Sequence, residues 1–291
     1  MSDMSDAQRI RDKLAAGKTI VMPGVFDALS ARLAADVGFP VRFISGFAVS
    51  AARLGMPDLG YLTQTEIAQT TREVCAAGDG PVIVDADTGY GNPLTAIRTA
   101  RELHAAGAAG IFLEDQEWPK RCGHLDGKRV VPMGQWLAKL RAVRDLAHDG
   151  VDLFLVARTD ARAAVSFDDA LQRARAALNV GVDAIFVEAP GSEDELKRIA
   201  DATPGAVRVA NMVEGGRTPL LSPERLHELG FDLIVSPLTG LFAATTAVRR
   251  AYEQLRKHGP ARDANGDVAF EEFGHLIGLP HHVGLERRYM D

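Results

Sequence analysis

Short, nearly continuous apolar runs recur along the chain at residues 19–22, 41–44, 81–84, 110–113, 153–157, 184–187, 207–210 and 232–235. Each is bounded by glycine or polar residues, as strands are. Because these runs do not alternate apolar with polar, they predict strands buried on both faces, the condition of a parallel sheet. Between most of them lie Ala- and Leu-rich stretches with helical spacing, at 29–37, 94–106, 138–148, 168–180 and 193–202. Eight strands alternating with helices predict an α/β fold closed into a (β/α)8 TIM-type barrel. The stretches 104–111 and 179–185 resemble each other, both reading as a helix that ends on glycine and runs into the next strand. That likeness is the periodicity of the barrel itself.

A further helix is predicted at 7–16, ahead of the first strand. After a helix at 244–257, His258-Gly259-Pro260 breaks the pattern. We therefore expect a barrel domain over 1–258 and a C-terminal tail over 259–291. Within the tail, 270–277 is amphipathic, and its Phe270, Phe273, Leu276 and Ile277 need cover from the barrel or from a neighbouring subunit.

Composition narrows the class. A chain of 291 residues suits one barrel, which takes about 250. The formal charge of −6 argues against a nucleic-acid binder, so an anionic substrate must be met by local positive groups. Two cysteines, Cys75 and Cys122, make no disulfide framework and fit a reducing compartment. The first residues lack the apolar stretch of a signal peptide, and no run approaches a membrane span of about 18 residues. The expected location is the cytoplasm, with no membrane partner.

In such a barrel the chemistry collects at the C-terminal ends of the strands. There the sequence places Ser45 and Gly46, Asp85 and Asp87, Glu114 and Asp115, Arg158 and Asp160, Glu188, and Asn211 and Glu214. If Asp85 and Asp87 continue a strand, they point to one side, and two carboxylates so placed call for a cation such as Mg²⁺, with Glu114 holding the remaining waters. The plainer reading is a capping or solvated loop. Arg158 can clamp a substrate carboxylate or pair internally with Asp160 or Glu188. Cys122 follows Lys120 and Arg121 and precedes His124, and positive neighbours favour thiolate. A cysteine beside a histidine can move protons, on a loop able to close over a site; otherwise it is incidental to an exposed basic loop. Cys75 lies on a helical pattern and reads as a small buried hydrophobe.

Together these segments resemble the isocitrate lyase/phosphoenolpyruvate mutase superfamily. The matching residues are Ser45-Gly46, the Leu54-to-Asp58 stretch, Asp85-Ala86-Asp87 with Gly89 and Gly91, Glu114-Asp115-Gln116, Lys120-Arg121-Cys122-Gly123-His124, Ala157-Arg158-Thr159-Asp160 and Asn211-Met212. The cysteine motif resembles the lyase branch. The resemblance implies a Mg²⁺-dependent C–C bond lyase, with Mn²⁺ the alternative ion, that cleaves a small 2-hydroxy di- or tricarboxylate to pyruvate or glyoxylate plus a carboxylic acid. It implies 2-methylisocitrate- or 2,3-dimethylmalate-like substrates. Oxaloacetate hydrolysis is the alternative, followed by phosphonate P–C chemistry and a silent carboxylate-binding barrel.

By the same resemblance, Asp85, Asp87 and Glu114 serve the metal. Ser45, Gly46, Phe47, Arg158, Gly123, His124 and Asn211 bind substrate. Cys122 is the acid that protonates the departing carbanion, supported by His124 and Glu188, with Lys120 and Asp58 at the reacting centre. The branch often carries tyrosine where this chain has Phe43, which leaves Asp58 or a metal-bound hydroxide as the hydroxyl base. A homotetramer exchanging a C-terminal helix is also implied.

Overall fold

The computed structural model describes residues 4–123, 125–261 and 266–290. All eight anticipated strands form: β1 (Ile20–Val25), β2 (Arg42–Ile44), β3 (Val82–Asp85), β4 (Gly110–Glu114), β5 (Phe154–Thr159), β6 (Ala184–Val187), β7 (Val207–Asn211) and β8 (Leu233–Ser236). Each pairs in parallel with its successor, and β8 closes on β1 through the register Ile20↔Leu233, giving a barrel in sequence order. This is the (β/α)8 fold that the uninterrupted apolar runs predict. Ile20, Met22, Phe43, Ile83, Phe112, Phe154, Val156, Phe186, Val209, Leu233 and Val235 pack together in one apolar cluster. Residues of the opposite strand parity, such as Ile44, Val84, Ile111, Leu155 and Ile185, join helix side chains in a second cluster. Two-sided burial explains why the strands read as solid runs and not as alternating patterns.

Helix α1 (Asp6–Ala15) places Ala7 and Ile10 in the cluster of Ile20 and Met22. Arg11 Nε lies 2.7 Å from Asp183 Oδ1, and its Nη1 lies 2.8 Å from Asp152 Oδ1, which ties α1 to the segments leading into β5 and β6. Around the barrel run α2 (Ala28–Asp36), the short α3 (Gly46–Val49), α4 (Gln64–Ala76), α5 (Pro93–Ala105), α6 (Met133–Arg144), α7 (Ala161–Ala164), α8 (Phe167–Leu178), α9 (Glu193–Ala202) and α10 (Pro223–Glu228). Asp27, Thr63, Asn92, Ser166, Ser192 and Ser222 cap six of them with side-chain oxygens, the residue types that satisfy first-turn N–H groups.

The chain forms two compact units, Met1–Leu241 and Phe242–Asp291. Helix α11 (Thr239–His258) therefore belongs mostly to the second unit, whereas its helical pattern alone assigns it to the barrel. That unit also holds α12 (Phe270–Leu276) and α13 (Leu279–Met290). Val248, Tyr252, Leu255, Phe270, Tyr289 and Met290 are all exposed. Among the described residues no helix is long and apolar enough to cross a membrane.

Cys75 sits on α4, half-buried against the core. Burial pushes its thiol up to about 11, against a smaller downward pull from Arg42. An unfolded thiol ionises near about 8.5. Between that value and 11 the unfolded chain loses a proton that the folded chain keeps, so stability falls as pH rises through this window and levels off above it. Urea midpoints of the wild type should therefore drop faster than those of Cys75→Ala between pH 8.5 and 11. Parallel curves would exclude the burial effect.

Candidate active site

One pocket of about 50 Å³ opens at the C-terminal ends of the strands, lined by residues of seven strand-end segments, among them Ser45, Asp85, Arg158, Glu188, Asn211 and Leu238. A water needs roughly 10–15 Å³ on this measure, so the cavity has room for a small bound molecule. Phe43, Phe112 and Phe186 form its floor, with Phe43 and Phe112 ring centroids 4.8 Å apart.

The sequence-predicted residues converge here. Ser45, Phe47, Asp58, Asp85, Cys122, Gly123, Arg158, Glu188 and Asn211 all line the pocket. Gly46, Asp87, Glu114 and Lys120 are not in its lining but contact residues that are: Gly46 and Asp87 reach Asp85, Glu114 reaches Arg158, and Lys120 reaches Asp58. His124 lies outside the described residues. Ser45 caps α3, its hydroxyl accepting from Ala48 N at 3.3 Å. Gly46 has no spare room: a Cβ there would stand 3.2 Å from Asp85 Oδ2 and 3.5 Å from Asp87 Oδ1.

The Asp85–Asp87 pair departs from the expected geometry. Strand β3 stops at Asp85, and Asp87 has φ 49°, a left-handed conformation that costs energy in a residue with a Cβ and collects at functional sites. Strand alternation therefore does not align the two carboxylates. A turn does, with Asp87 N donating to Asp85 Oδ1 at 3.2 Å. Asp87 is also reached by Tyr90, whose hydroxyl donates to Oδ2 at 3.3 Å.

Lys120 is buried rather than part of an exposed basic loop. Its Nζ sits 2.6 Å from both Asp58 Oδ1 and Asp87 Oδ1. Burial opposes its charge, yet Asp87, Asp58, Asp85 and Glu114 hold the ammonium well above the ordinary lysine value. For Asp87, burial dominates over Lys120 and pushes the carboxyl up to about 7. Burial likewise raises Glu114, against the pull of Arg158. Arg121 turns outward, Nη1 donating to the Asp126 carbonyl at 3.3 Å.

Arg158 faces Glu114 across the β4–β5 register. Its Nε lies 2.9 Å from Asp160 Oδ2 and 3.3 Å from Glu114 Oε2, and its Nη2 lies 3.6 Å from Glu188 Oε2. The internal-pair reading and the pocket-lining reading thus hold together. Asn211 Nδ2 donates to both Glu188 oxygens at 3.5 Å. Gly123 touches Glu188 so closely that a Cβ would come within 2.4 Å of Cδ; only glycine fits there.

The donor set fits a divalent cation. Asp58, Asp85, Asp87, Glu114, Asp160 and Glu188 are buried around the pocket. Among the described residues three buried cations meet these six carboxylates: Lys120, Lys128 and Arg158. Such a buried negative surplus needs a cation or protons to balance it. Both Glu114 oxygens lack hydrogen-bond partners, as does Asp87 Oδ1, which is near Lys120 but outside hydrogen-bond geometry. Among the described residues no three His, Cys, Asp or Glu side chains are grouped so as to hold a metal ion by themselves; Mg²⁺ takes one or two carboxylates and keeps water.

Sequence reasoning assigned no task to Gln116, Tyr90 or Lys128. Gln116 Nε2 donates to the Arg121 carbonyl at 2.8 Å, and its Oε1 accepts from Arg121 N at 2.9 Å. Its place in the Glu114-Asp115-Gln116 segment, two residues beyond a strand-end carboxylate, was the available signal. Asp115 points away from the pocket, accepting from Thr159 Oγ1 at 2.6 Å and Asp160 N at 2.8 Å.

Comparison with known proteins agrees with this geometry. The family description "Phosphoenolpyruvate phosphomutase" matches residues 10–256. The chain is 50% identical over 275 residues to the chloroplastic carboxyvinyl-carboxyphosphonate phosphorylmutase of Arabidopsis thaliana, covering 93% of this chain and 80% of that one. It is 39% identical over 287 residues to 2,3-dimethylmalate lyase of Eubacterium barkeri, covering 98% and 99%. The structure of oxaloacetate acetylhydrolase in complex with the inhibitor 3,3-difluorooxalacetate superposes with a TM-score of 0.91 at 33% identity, covering 97% of this chain and 96% of that chain. With the strand-end carboxylates, the Cys122 loop and these matches in agreement, the chain belongs to the phosphoenolpyruvate phosphomutase family, within the isocitrate lyase/phosphoenolpyruvate mutase superfamily.

Proposed function

We propose that the protein is a metal-dependent C–C bond lyase that cleaves a small 2-hydroxy di- or tricarboxylate of the 2,3-dimethylmalate or 2-methylisocitrate type. The observation that carries this reading is Cys122 lining the same pocket as Asp58, Arg158 and Asn211. Breaking a C–C bond leaves an electron pair on carbon, and that carbon needs a proton. Moving a phosphoryl group between oxygen and carbon does not require one to be delivered to carbon. A thiol in the pocket therefore favours the chemistry named for the Eubacterium barkeri relative over that named for the Arabidopsis thaliana relative.

Asp85, Asp87 and Glu114 would hold Mg²⁺ (or Mn²⁺), which when bound supplies Lewis-acid stabilisation of the oxygen that becomes the 2-oxo group. Arg158 holds the adjacent carboxylate by its guanidinium fork, and Asn211 meets the second carboxylate, with the Ser45–Phe47 turn closing the oxo-acid end. Phe43 has no hydroxyl to offer, so Asp58 takes the substrate hydroxyl proton while Lys120, 2.6 Å away, balances its charge. The C–C bond breaks and its electrons pass to the departing carbon. Cys122 gives that carbon its thiol proton, with Glu188 beside Gly123 and His124 supporting the return of a proton to sulfur. From 2,3-dimethylmalate the products are pyruvate and propionate.

The same reading includes a cytoplasmic location and a homotetramer, which would give the exposed apolar side chains of Phe242–Asp291 a surface to pack on. The test is 2-oxo acid release from 2,3-dimethylmalate, 2-methylisocitrate and isocitrate, with and without Mg²⁺. Metal-dependent pyruvate or glyoxylate is expected from at least one. Silence on all three, with oxalate and acetate appearing from oxaloacetate, would replace the lyase reading with the hydrolase that the likeness to oxaloacetate acetylhydrolase favours.

A further inference from the structure

The segment Leu125-Asp126-Gly127-Lys128 reads in sequence as a surface turn, yet Lys128 is only 7% exposed. Its ammonium donates to the Gly123 carbonyl and lies 3.0 Å from Asp160 Oδ1. Asp160 in turn grips Arg158, accepting from Nε at 2.9 Å and from Nη2 at 3.3 Å. Asp160 itself is fixed from behind, its backbone N donating to Asp115 Oδ1 at 2.8 Å, while Arg173 holds Asp115 at 3.1 Å. One buried cation thus joins the peptide next to Cys122 to the carboxylate that orients the guanidinium.

Lysine is rarely buried unless paired, and burying one is costly enough that the pair needs further hydrogen bonds. Lys128 has both a carboxylate and a carbonyl. The loop has other ties on both sides of Gly123. Upstream, Lys120 meets Asp58 and Asp87, Gln116 grips the Arg121 backbone, and Cys122 N donates to the Asp58 carbonyl at 3.1 Å. Downstream, Leu125 N donates to the Cys122 carbonyl at 2.9 Å and Arg217 pairs with Asp126. Among these ties Lys128 is the one that reaches Arg158 through Asp160.

We propose that Lys128 is a positioning residue that fixes the Cys122 thiol relative to Arg158 by anchoring the Gly123 carbonyl to Asp160. The assignment rests on the reading of Cys122 as proton donor and Arg158 as carboxylate clamp. It needs no contact between Lys128 and substrate. A reacting group displaced by about 1 Å can cost roughly 100-fold in rate, and supporting residues of this kind typically account for about 10- to 100-fold.

The test uses the full chain carrying Lys128→Met, with Lys128→Arg as the conservative variant and wild type as reference. Iodoacetamide alkylation is followed at each cysteine by mass spectrometry, because this readout does not depend on knowing the substrate. In Lys128→Met, Cys122 should alkylate about tenfold faster while Cys75 labels at the wild-type rate, and Lys128→Arg should recover part of the difference. On whichever hydroxy acid is turned over, kcat should fall by about 10- to 100-fold with KM within about threefold. An unchanged Cys122 rate overturns the proposal whatever happens to turnover. Faster labelling of both cysteines overturns it as well, because that is general loosening and not local placement. If Lys128→Met does not fold, Lys128→Gln takes its place with the same readouts. If no hydroxy acid is cleaved by the wild type, the lyase reading fails while the alkylation rates still decide the role of Lys128.

Discussion

With Asp87 in its proposed metal-holding role, Asp87→Asn should lower kcat/KM by at least about 1,000-fold, since the cation would offset charge in the transition state. The side chain is 1% exposed and sits on a left-handed residue, a conformation held by contacts from Lys120, Tyr90 and Asp85. The amide keeps the shape and removes one negative charge. Lys120 keeps its 2.6 Å contact with Asp58, so the loop has no reason to collapse. Six buried carboxylates already outnumber the three buried cations around the pocket, so losing one relieves repulsion in the metal-free protein. We therefore expect a metal-free melting temperature at or above that of the wild type, together with Mg²⁺ binding too weak to detect by calorimetry. This is the stability–function trade-off that crowded active-site charges produce. Turnover within tenfold of wild type at saturating Mg²⁺ would remove Asp87 from the metal site.

How this centre was read from sequence shows what local pattern encodes. Each strand was legible because burial on two faces leaves an uninterrupted apolar run, and each strand-end residue followed from where its run stopped. Glu114, Arg158 and Asn211 are found this way, and the structure places them at the end of β4, next to last in β5 and at the end of β7. Residues whose role depends on a partner far along the chain were misjudged. From its neighbours alone Lys120 read only as a positive charge beside Cys122, and it was the family resemblance that put it at the reacting centre. Its partners are Asp58 and Asp87, which arrive from other segments, and no periodicity records that meeting. Lys128 looked like part of a turn for the same reason, its partner Asp160 belonging to the next strand's end. At Asp87 the strand alternation was carried two residues too far, because the left-handed turn is set by tertiary contacts and the residue type gives no glycine to mark it. The extent of the second unit was also hidden. Helix α11 carries a regular helical pattern, and pattern alone does not say which body a helix joins.

Cys122→Ala should reduce turnover by about 100- to 10,000-fold, the range that a single general acid contributes, while leaving KM and Mg²⁺ affinity close to wild type. The reason lies in how the other groups are held. The carboxylates that fit the metal and the Arg158 fork are held by β3, β4 and β5 and by Asp160. The Cys122 backbone is held by its N–H to Asp58 and by Gln116 through Arg121. On the proposed roles, trimming Sγ therefore removes the proton source while the groups proposed to bind substrate keep their own supports. Asp87→Asn fails at binding the cation, whereas Cys122→Ala binds cation and substrate and fails at finishing the reaction. Cys122→Ser separates acidity from size: a hydroxyl of nearly the same volume is a far weaker acid, so it should behave like alanine. Wild-type turnover by either cysteine variant would mean that the departing carbon takes its proton from another group, and Cys122 would lose its role as the acid.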